Sequence, residues 1–448
     1  MPFIPHTQEE INEMLSVIGA KSLSDLYDSV PDALRMKREL DLPEPISEQD
    51  LLAELKSIGK KNLATDKALS FLGAGIYPHF TPSAVNDLAF RGEFLTPYTP
   101  YQPEISQGTL QVTFEFQSLM SRIFEMDISN ASTYDLSTSV AEAALMALRI
   151  HKKKKKIIVC EGMHPEYREV LKTVLTPTNI EIVTLPHLNG KLNVKALKEN
   201  LCDQTAACIV QYPNFFGIAE NLEEASKLTH DADALFITAT AEPFALGLLR
   251  TPGSFEADIA VGEGNSFGLP TRFGGPALGV FTASEKYLRQ MPGRIVGETL
   301  DAQGRKGYVL TLSTREQHIR REKATSNICS NHQHCATIAT IYLSLIGKHG
   351  FSSLARINAA KAQYAAQKLS SISGVKLQFE GNFFNEFVLE LPKRAQDVLD
   401  ALVKENIHAG VSLERWFPQC KNSLLLAFTE VHRKEDIDAL ATALTNAL

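Results

Sequence analysis

Short apolar runs alternate with amphipathic stretches through the middle of the chain. Seven runs rich in β-branched residues predict strands at residues 128–133, 157–160, 180–184, 207–211, 234–239, 258–261 and 277–282. Helical periodicity between them predicts helices at residues 138–151, 165–175, 193–200 and 222–230. Apolar strands that alternate with helices indicate a mainly parallel sheet covered on both faces. The central part is therefore predicted to be a doubly wound α/β domain.

The N-terminal part has a different pattern, because polar residues outnumber the apolar ones and prolines interrupt it. Residues 7–68 predict short helices, two of which begin at capping sequences that start at Thr7 and Ser47. Pro43 and Pro45 separate the helical pieces. This part is either an arm that embraces a partner subunit or a helical cap on its own domain.

Longer helices and a second rhythm follow the predicted sheet. Helical patterns cover residues 316–349, with a break near Ser326, and residues 350–371. After Gly374 the order strand, strand, helix, strand, helix predicts a small α+β unit. The chain is thus expected to have three parts: residues 1–95, a helical arm; residues 96–325, the large α/β domain; and residues 326–448, a long helix and the small unit.

Composition excludes several classes of protein. The 448 residues are 44% hydrophobic and 22% charged, which is typical of a globular protein. A net charge of −7 argues against nucleic acid as a partner. No apolar run approaches the roughly 20 residues that span a membrane, and no signal peptide is evident. Six scattered cysteines favour a reduced, cytoplasmic protein.

One stretch, residues 94–111, has the character of a rigid binding loop. Its three prolines forbid a helix, so the segment is expected to be extended and stiff. It holds the hydrogen-bonding side chains Tyr98, Tyr101, Gln102, Glu104 and Gln107. Such a loop suits the wall of a small-molecule site. The alternative is a proline-rich connector whose tyrosines only pack, and composition alone leaves both readings open.

Two further motifs have less specific meanings. Residues 152–156 are five lysines after a predicted helix, which suits a solvated helix end or, alternatively, the docking of an acidic carrier protein. The sequence from Cys329 to Cys335 contains metal-binding residue types. On one helix these side chains do not converge on a tetrahedral ion, so no metal site is predicted.

The stretch at residues 98–111, Tyr-Thr-Pro-Tyr-Gln-Pro-Glu-Ile-Ser-Gln-Gly-Thr-Leu-Gln, also carries a resemblance. It is similar to the signature of the glycine dehydrogenase (decarboxylating) P-protein family. Phe-Leu-Gly-Ala-Gly-Ile-Tyr-Pro-His at 71–79 and Thr-Ser-Asn-Ile-Cys at 325–329 match other stretches of that family. The likeness covers nearly the whole chain and is closest to subunit 1 of the family's two-subunit form. It implies fold type I of pyridoxal phosphate (PLP) enzymes.

A PLP enzyme needs a lysine for the Schiff base, an acidic partner for the ring nitrogen and donors for the phosphate. Hydroxyls at the start of a predicted helix are candidate phosphate donors or plain helix caps: Ser137, Thr138 and Ser139. The family's lysine position falls at about Asn265 or Ser266, and neither forms an imine. Thr238 or Glu242 stands where the acidic partner is expected. The chain alone is therefore not expected to hold and activate PLP.

The two-subunit form of the family implies a solution. Subunit 2 would bind PLP covalently, and this chain would supply the opposite wall of a site shared in an α2β2 heterotetramer. The resemblance implies decarboxylation of glycine and transfer of the aminomethyl group to the lipoyl arm of H-protein. The side chains expected to orient the glycine carboxylate or move protons are Tyr98, Tyr101, Glu104 and His79. Those expected at the cofactor are Thr325, Ser326, Asn327, Gln102 and Gln107.

Two alternatives remain open at this point. A self-sufficient PLP enzyme would use another lysine, for instance Lys323 or Lys286. A purely structural or regulatory subunit would make no catalytic contribution.

Overall fold

The chain divides into two units, Met1–Leu63 and Ala64–Leu448. The computed structural model describes residues 5–63, 67–95, 99–271, 274–328 and 332–448. The first unit contains helices α1 (Gln8–Ile18) and α2 (Glu48–Gly59). Thr7 and Glu10 form the predicted capping box of α1, and Ser47 caps α2. Leu15 is the sole buried residue among those described in this unit.

The second unit contains the predicted alternation of strands and helices. Its strands are β1 (Leu69–Ser70), β2 (Ile128–Ser129), β3 (Lys156–Cys160), β4 (Glu181–Leu185), β5 (His187–Leu188), β6 (Lys191–Leu192), β7 (Thr205–Gln211), β8 (Leu235–Thr240), β9 (Ile259–Glu263), β10 (Gly279–Ala283), β11 (Ile295–Leu300), β12 (Lys306–Thr311), β13 (Lys376–Leu377), β14 (Glu386–Glu390), β15 (Ile407–His408), β16 (Val411–Ser412) and β17 (Ser423–Ala427). Its helices are α3 (Ser83–Ala89), α4 (Gly92–Leu95), α5 (Gln107–Phe124), α6 (Leu136–Ile150), α7 (Pro165–Leu175), α8 (Val194–Asn200), α9 (Glu223–Asp231), α10 (Gln317–Arg320), α11 (Gln333–Ser370), α12 (Ala395–Val403) and α13 (Lys434–Ala447).

The main sheet has seven strands in the order β2-β10-β9-β8-β7-β3-β4. The five strands from β9 to β4 run parallel, and β10 is antiparallel to both of its neighbours. Separate apolar clusters cover the two faces: one contains Phe116 and Tyr342, from α5 and α11, and the other contains Val140 and Leu171, from α6 and α7. The predicted doubly wound, mainly parallel sheet is confirmed. The carboxyl ends of its parallel strands are where such sheets place their ligands.

A smaller antiparallel sheet follows, in the order β13-β14-β17-β16. Helices α12 and α13 pack on it around a third apolar cluster that contains Phe387 and Leu440. The long helix α11 leads into this part and is kinked at Gly347, whose φ is 59°. The small α+β unit predicted after Gly374 is therefore confirmed.

Three segments differ from their predictions. The hairpin of β11 and β12 was not predicted, because its strands mix charged and apolar residues and lie outside the main sheet. The helix predicted from residue 316 is only the four-residue α10, which ends where Arg321 has a φ of 53°. The strand predicted at 128–133 is limited to β2, and Thr133 pairs with Gly279 by an isolated bridge. Among the described residues, no helix is both long and apolar enough to cross a membrane.

Candidate active site

One buried carboxylate anchors the glycine-rich turn at residues 73–79. Glu386, on β14, accepts hydrogen bonds from the Ala74 amide at 2.6 Å and the Tyr77 hydroxyl at 2.8 Å. Burial raises the pKa of Glu386 to about 7, although both hydrogen bonds act to lower it. A Cβ at Gly73 would lie 2.4 Å from Oε1 of this carboxylate, so only glycine fits there. The contact fixes the turn that ends at His79.

His79 lies between two carboxylates from distant parts of the chain. Its Nε2 is 2.8 Å from Oε2 of Glu242, and its Nδ1 is 2.9 Å from Oε2 of Glu430. The imidazole is 3% exposed. Burial by itself lowers the pKa of His79, but attraction and hydrogen bonds from the two carboxylates raise it to about 10. His79 is therefore an imidazolium at neutral pH, and both of its nitrogens donate.

The two residues at the expected lysine position are buried and bonded within the chain. The hydroxyl of Ser266 donates to Oε2 of Glu242 at 2.9 Å. The side-chain amide of Asn265 reaches only a backbone carbonyl, and its Oδ1 is buried without a hydrogen-bond partner among the described residues. The sequence has no lysine between Lys227 and Lys286. This segment therefore offers no amine for a Schiff base.

Carboxylates accept hydrogen bonds at the amino end of α6, where the sequence left a phosphate site and plain helix capping both open. Asp135 accepts hydrogen bonds from the Thr138 amide at 2.8 Å and the Ser137 hydroxyl at 2.6 Å. Glu263, the last residue of β9, accepts from the Leu136 amide at 3.1 Å. Burial raises the pKa of Glu263 to about 7. The hydroxyls of the predicted cradle all bond to Asp135: Ser137, Thr138 and Ser139.

PLP does not fit this pocket of the chain. The segment lacks a lysine, and two acidic side chains stand at the helix end that would have to receive a dianionic phosphate. Glu242 already faces the His79 imidazolium, which competes with a protonated ring nitrogen. Thr238, the other predicted ring partner, carries a neutral hydroxyl that is buried without a hydrogen bond to any described residue. We therefore derive no catalytic step through PLP bound in this pocket.

The proline-rich stretch is described from residue 99 onward, so Tyr98 lies outside the described residues. Pro103–Ile105 forms a short 3-10 turn before α5, which begins at Gln107, so the stretch is not extended throughout as predicted. Pro103 is at the first position of the turn, where a proline needs no amide donor. Three of the predicted site residues are exposed in the proline-rich stretch: Tyr101, Gln102 and Glu104. Ile105 is 79% exposed beside them. The stretch thus presents polar and apolar side chains to the outside of the chain.

Gln107 and Tyr101 tie this stretch to the β11–β12 region. The side chain of Gln107 donates to the backbone carbonyl of Tyr308 at 2.9 Å and accepts from its amide at 2.8 Å. Gln107 therefore holds the loop in place, because both ends of its amide are engaged. The hydroxyl of Tyr101 accepts a hydrogen bond from Arg294 at 3.4 Å, and its ring lies against His318 at 5.3 Å between centroids.

The predicted cofactor residues at 325–327 lie between α10 and α11. The amide of Thr325 donates to the carbonyl of Arg315 at 2.9 Å, and its side chain lines a cavity of about 290 Å³. The Ser326 hydroxyl accepts from the Ile328 amide at 3.2 Å. Asn327 is exposed. The helix predicted to begin near Asn327 begins at residue 333.

The structure brings two of the predicted residues into one neighbourhood. Tyr101 contacts Arg294. The guanidinium of Arg315 donates to the carbonyl of Gly293, the neighbour of Arg294, at 3.1 Å. The backbone carbonyl of Arg315 accepts a hydrogen bond from the amide of Thr325. We call Tyr101, Arg294, Arg315 and Thr325 the surface group. Within the described parts of the chain, no hydrogen bond or ion pair joins this group to His79.

Sequence reasoning missed four residues that shape these places. Three are the buried acids Glu263, Glu386 and Glu430, and the fourth is Arg294. Glu263 is the last residue of an otherwise apolar strand, which is a usable local signal for a residue at a ligand-binding edge. The partners of Glu386 and Glu430 lie more than 300 residues away along the chain, so no local pattern identifies them.

Two lysines of the run and His332 have specific partners. Lys154 forms an ion pair with Asp233 at 3.0 Å, and Lys156 donates to the carbonyl of Asn200, at the end of α8, at 2.8 Å. Neither contact is with α6, the helix before the run, so the solvated helix end and the docking of an acidic carrier protein both stay predictions. His332 is 2.8 Å from a backbone carbonyl through Nδ1.

The alternative lysines have neighbours other than Glu242 and Glu263. Lys286 pairs with Asp258 at 3.0 Å, just before β9, whereas Glu263 ends that strand. Lys323 is exposed and lines the same cavity as Thr325. Neither contact places a lysine beside Glu242, where the Schiff base with PLP would have to form.

Comparisons with known proteins agree with the fold and the motifs. A family profile described as "Glycine cleavage system P-protein" matches residues 1–444. A relative from Anaeromyxobacter dehalogenans, named probable glycine dehydrogenase (decarboxylating) subunit 1, is 49% identical over 447 residues, covering 99% of each chain. A protein of the same name from Listeria monocytogenes is 46% identical over 445 residues, again covering 99% of each chain.

Solved structures support the same assignment. A crystal structure of glycine decarboxylase (P-protein) of the glycine cleavage system, in inhibitor-bound form, matches with a TM-score of 0.91 and 42% identity, covering 100% of both chains. The sphingosine-1-phosphate lyase of Burkholderia pseudomallei matches with a TM-score of 0.65 and 12% identity over 93% of this chain and 94% of its own, a likeness of fold alone. The fold is type I of PLP-dependent enzymes, as predicted. The chain belongs to the glycine cleavage system P-protein family.

Proposed function

We propose that this chain is subunit 1 of a two-subunit glycine dehydrogenase (decarboxylating), and that its partner, subunit 2, binds PLP covalently. The observation that carries this proposal is the set of contacts at the expected cofactor position: Asp135 and Glu263 accept the amide hydrogen bonds at the start of α6, and Ser266, not a lysine, contacts Glu242. The names of its relatives, which contain "subunit 1", support a partner chain. In this proposal, PLP on subunit 2 supplies the electron sink for the decarboxylation of glycine.

This chain contributes the wall that faces the partner's cofactor. Tyr101 and Glu104 are exposed on a loop that Gln107 anchors to β12, so they are free to orient the glycine carboxylate or to move a proton. Thr325 is assigned to the cofactor phosphate from across the interface. His79 is assigned a positioning role, because an imidazolium with a pKa of about 10 does not release its proton near neutral pH.

The aminomethyl group left from glycine passes to the lipoyl arm of H-protein. The lipoyl disulfide is reduced as one sulfur takes the aminomethyl group and the other becomes a thiol. Carbon dioxide is the second product. We place these steps in the cytoplasm, in an α2β2 assembly of the two subunits.

Exchange of labelled carbon dioxide into glycine tests the proposal. We expect exchange only when this chain and subunit 2 are mixed, and full exchange by this chain alone would overturn it. Borohydride reduction after incubation with PLP should leave the pyridoxyl group on a lysine of subunit 2 alone. A stoichiometric adduct on Lys323 or Lys286 would instead identify a self-sufficient enzyme.

Substitutions in the exposed loop separate a shared site from a structural subunit. In the reconstituted complex, we expect Tyr101→Phe and Glu104→Gln each to lower kcat by about tenfold or more, since positioned acid–base groups contribute about 10²–10⁴. Glu115→Gln, on the exposed surface of α5, is the matched control and should keep the full rate. Unchanged rates for the loop variants would favour the structural or regulatory reading.

A further inference from the structure

Four cationic side chains line one cavity, which is also lined by Thr325; Arg315 and Thr325 are the members of the surface group that it includes. The cavity, about 290 Å³ in volume, is lined by Arg289, Leu312, Thr314, Arg315, Arg320, Lys323 and Thr325. The lining thus offers four positive charges and two hydroxyls and no carboxylate. Within the described parts of the chain, Arg289, Arg320 and Lys323 form no ion pair, so their charges are not neutralised by the protein.

The guanidinium of Arg315 is the buried part of this lining. Its side chain is 9% exposed and donates to the carbonyls of Met291 and Gly293. Glu316 is the nearest carboxylate, at a long 3.9 Å. The Nε of Arg315 is buried and has no hydrogen-bond partner among the described residues. A buried N–H donor without an acceptor, on a charged group without a close counter-charge, destabilises the protein unless a ligand supplies the acceptor and the negative charge.

We propose that this cavity binds the phosphate group of a phosphate monoester or inorganic phosphate. A phosphate brings nearly two negative charges and several acceptor oxygens, which matches unpaired arginines and a lysine better than a neutral ligand does. The hydroxyls of Thr314 and Thr325 add neutral donors at the same cavity. The phosphate belongs either to a free phosphorylated compound or to a cofactor held by a partner chain. The second source rests on the proposed function; the site itself does not.

Calorimetric titration of the full chain with inorganic phosphate tests the site. We expect saturable binding near one phosphate per chain that weakens as salt is added, because charge pairing at an open cavity is screened. Arg289→Gln combined with Lys323→Gln should lower the affinity by about tenfold or more, since each removed charge weakens phosphate pairing. Both residues are exposed, so the variant should keep the melting temperature of the parent chain.

Lys227→Gln is the matched control, an exposed lysine on α9 that does not line the cavity, and should bind phosphate like the parent. The proposal is overturned if the parent chain gives no saturable binding, or if the double variant binds as the control does. Failure of glycine exchange in the reconstituted complex would not affect this titration, so the two proposals fail separately.

A second titration identifies the source of the phosphate. The complex with PLP-loaded subunit 2 is titrated in the same way. Loss of phosphate binding in the complex, with binding in the isolated chain, supports a site that the partner's cofactor phosphate fills. Unchanged binding supports a site for a free phosphorylated compound.

Discussion

A single imidazolium, that of His79, lies between the carboxylates of Glu242 and Glu430. Since its pKa is about 10 in the folded chain and about 6.5 in an unfolded one, the folded state holds the extra proton. The stabilisation is fully present below pH 6.5 and is lost as the pH rises through 10. His79→Gln, which leaves both carboxylates without a cation, should cost about 3–5 kcal/mol at pH 6.

Thermal unfolding at pH 6, 8 and 10 measures this effect. The gap in melting temperature between the parent and His79→Gln should narrow as the pH rises. His349→Gln, at an exposed position on α11, serves as the control and should show no such gap. A gap that stays constant with pH would contradict an imidazolium at His79.

The burial of Glu386 should also make the stability of the chain depend on pH. Its pKa is about 7 in the folded chain, above the usual value of about 4.3, so the folded state binds the proton more tightly. The chain therefore loses stability as the pH rises from about 4.3 to 7. Glu386→Gln cannot ionise, so its melting temperature relative to the parent should rise between pH 5 and pH 8. Glu380→Gln, at an exposed site, should not change with pH.

At the residue scale, the sequence indicated that the lysine is missing, but not the contacts that the residues at this position make. The resemblance implies a lysine near Ser266, and the sequence has none there. The contacts that close the pocket join residues far apart in the chain, such as His79 with Glu242 and Glu430. Such pairs depend on tertiary structure, and periodicity carries no information about them.

At the element scale, the glycine-rich turn should tolerate no side chain at its first glycine. A Cβ at Gly73 would meet Oε1 of Glu386 at 2.4 Å and the Cβ of Ala427 at 2.5 Å. Overpacking of this kind costs about 1–3 kcal/mol, so Gly73→Ala should lower the melting temperature. Gly108→Ala, inside α5 with no atom within 4 Å, should be neutral or stabilising by up to about 1 kcal/mol. Equal effects of the two variants would refute the close contact.

Helices with local signals were predicted to the residue. Pro165–Leu175 begins with a proline at its first position, and Lys434–Ala447 has acidic residues in its first turn and an apolar stripe. The β11–β12 hairpin escaped prediction, because its pairing involves no strand of the main sheet and its apolar pattern is irregular. Residues 316–332 favour helix by composition, yet Arg321 has a positive φ that ends α10.

At the scale of the whole molecule, the first unit is expected not to fold by itself. Over its described residues 5–63 it has one buried residue, Leu15, while Val17, Leu34 and Leu42 are 71% exposed or more. Helices of 11 and 12 residues are marginal in water without packing. A peptide of residues 1–63 should therefore show weak helical circular dichroism and no cooperative melting. A sharp transition in this peptide would contradict the expectation.

The mainly parallel sheet could be predicted, because alternating apolar runs and helices leave few other architectures. The order of its strands could not, since it follows from pairing in space. The division at residues 95 and 325 stays a prediction.

The contacts at Ser266 and at the end of α6 have a consequence for mutations meant to restore PLP binding. Ser266→Lys alone would place an ammonium beside Glu242, which already faces the His79 imidazolium, while Glu263 would still occupy the end of α6. Ser266→Lys is therefore not sufficient, because Glu263 and Asp135 still accept the amide hydrogen bonds at the start of α6. The lysine position and the end of α6 would therefore have to change together before this chain could hold PLP by itself.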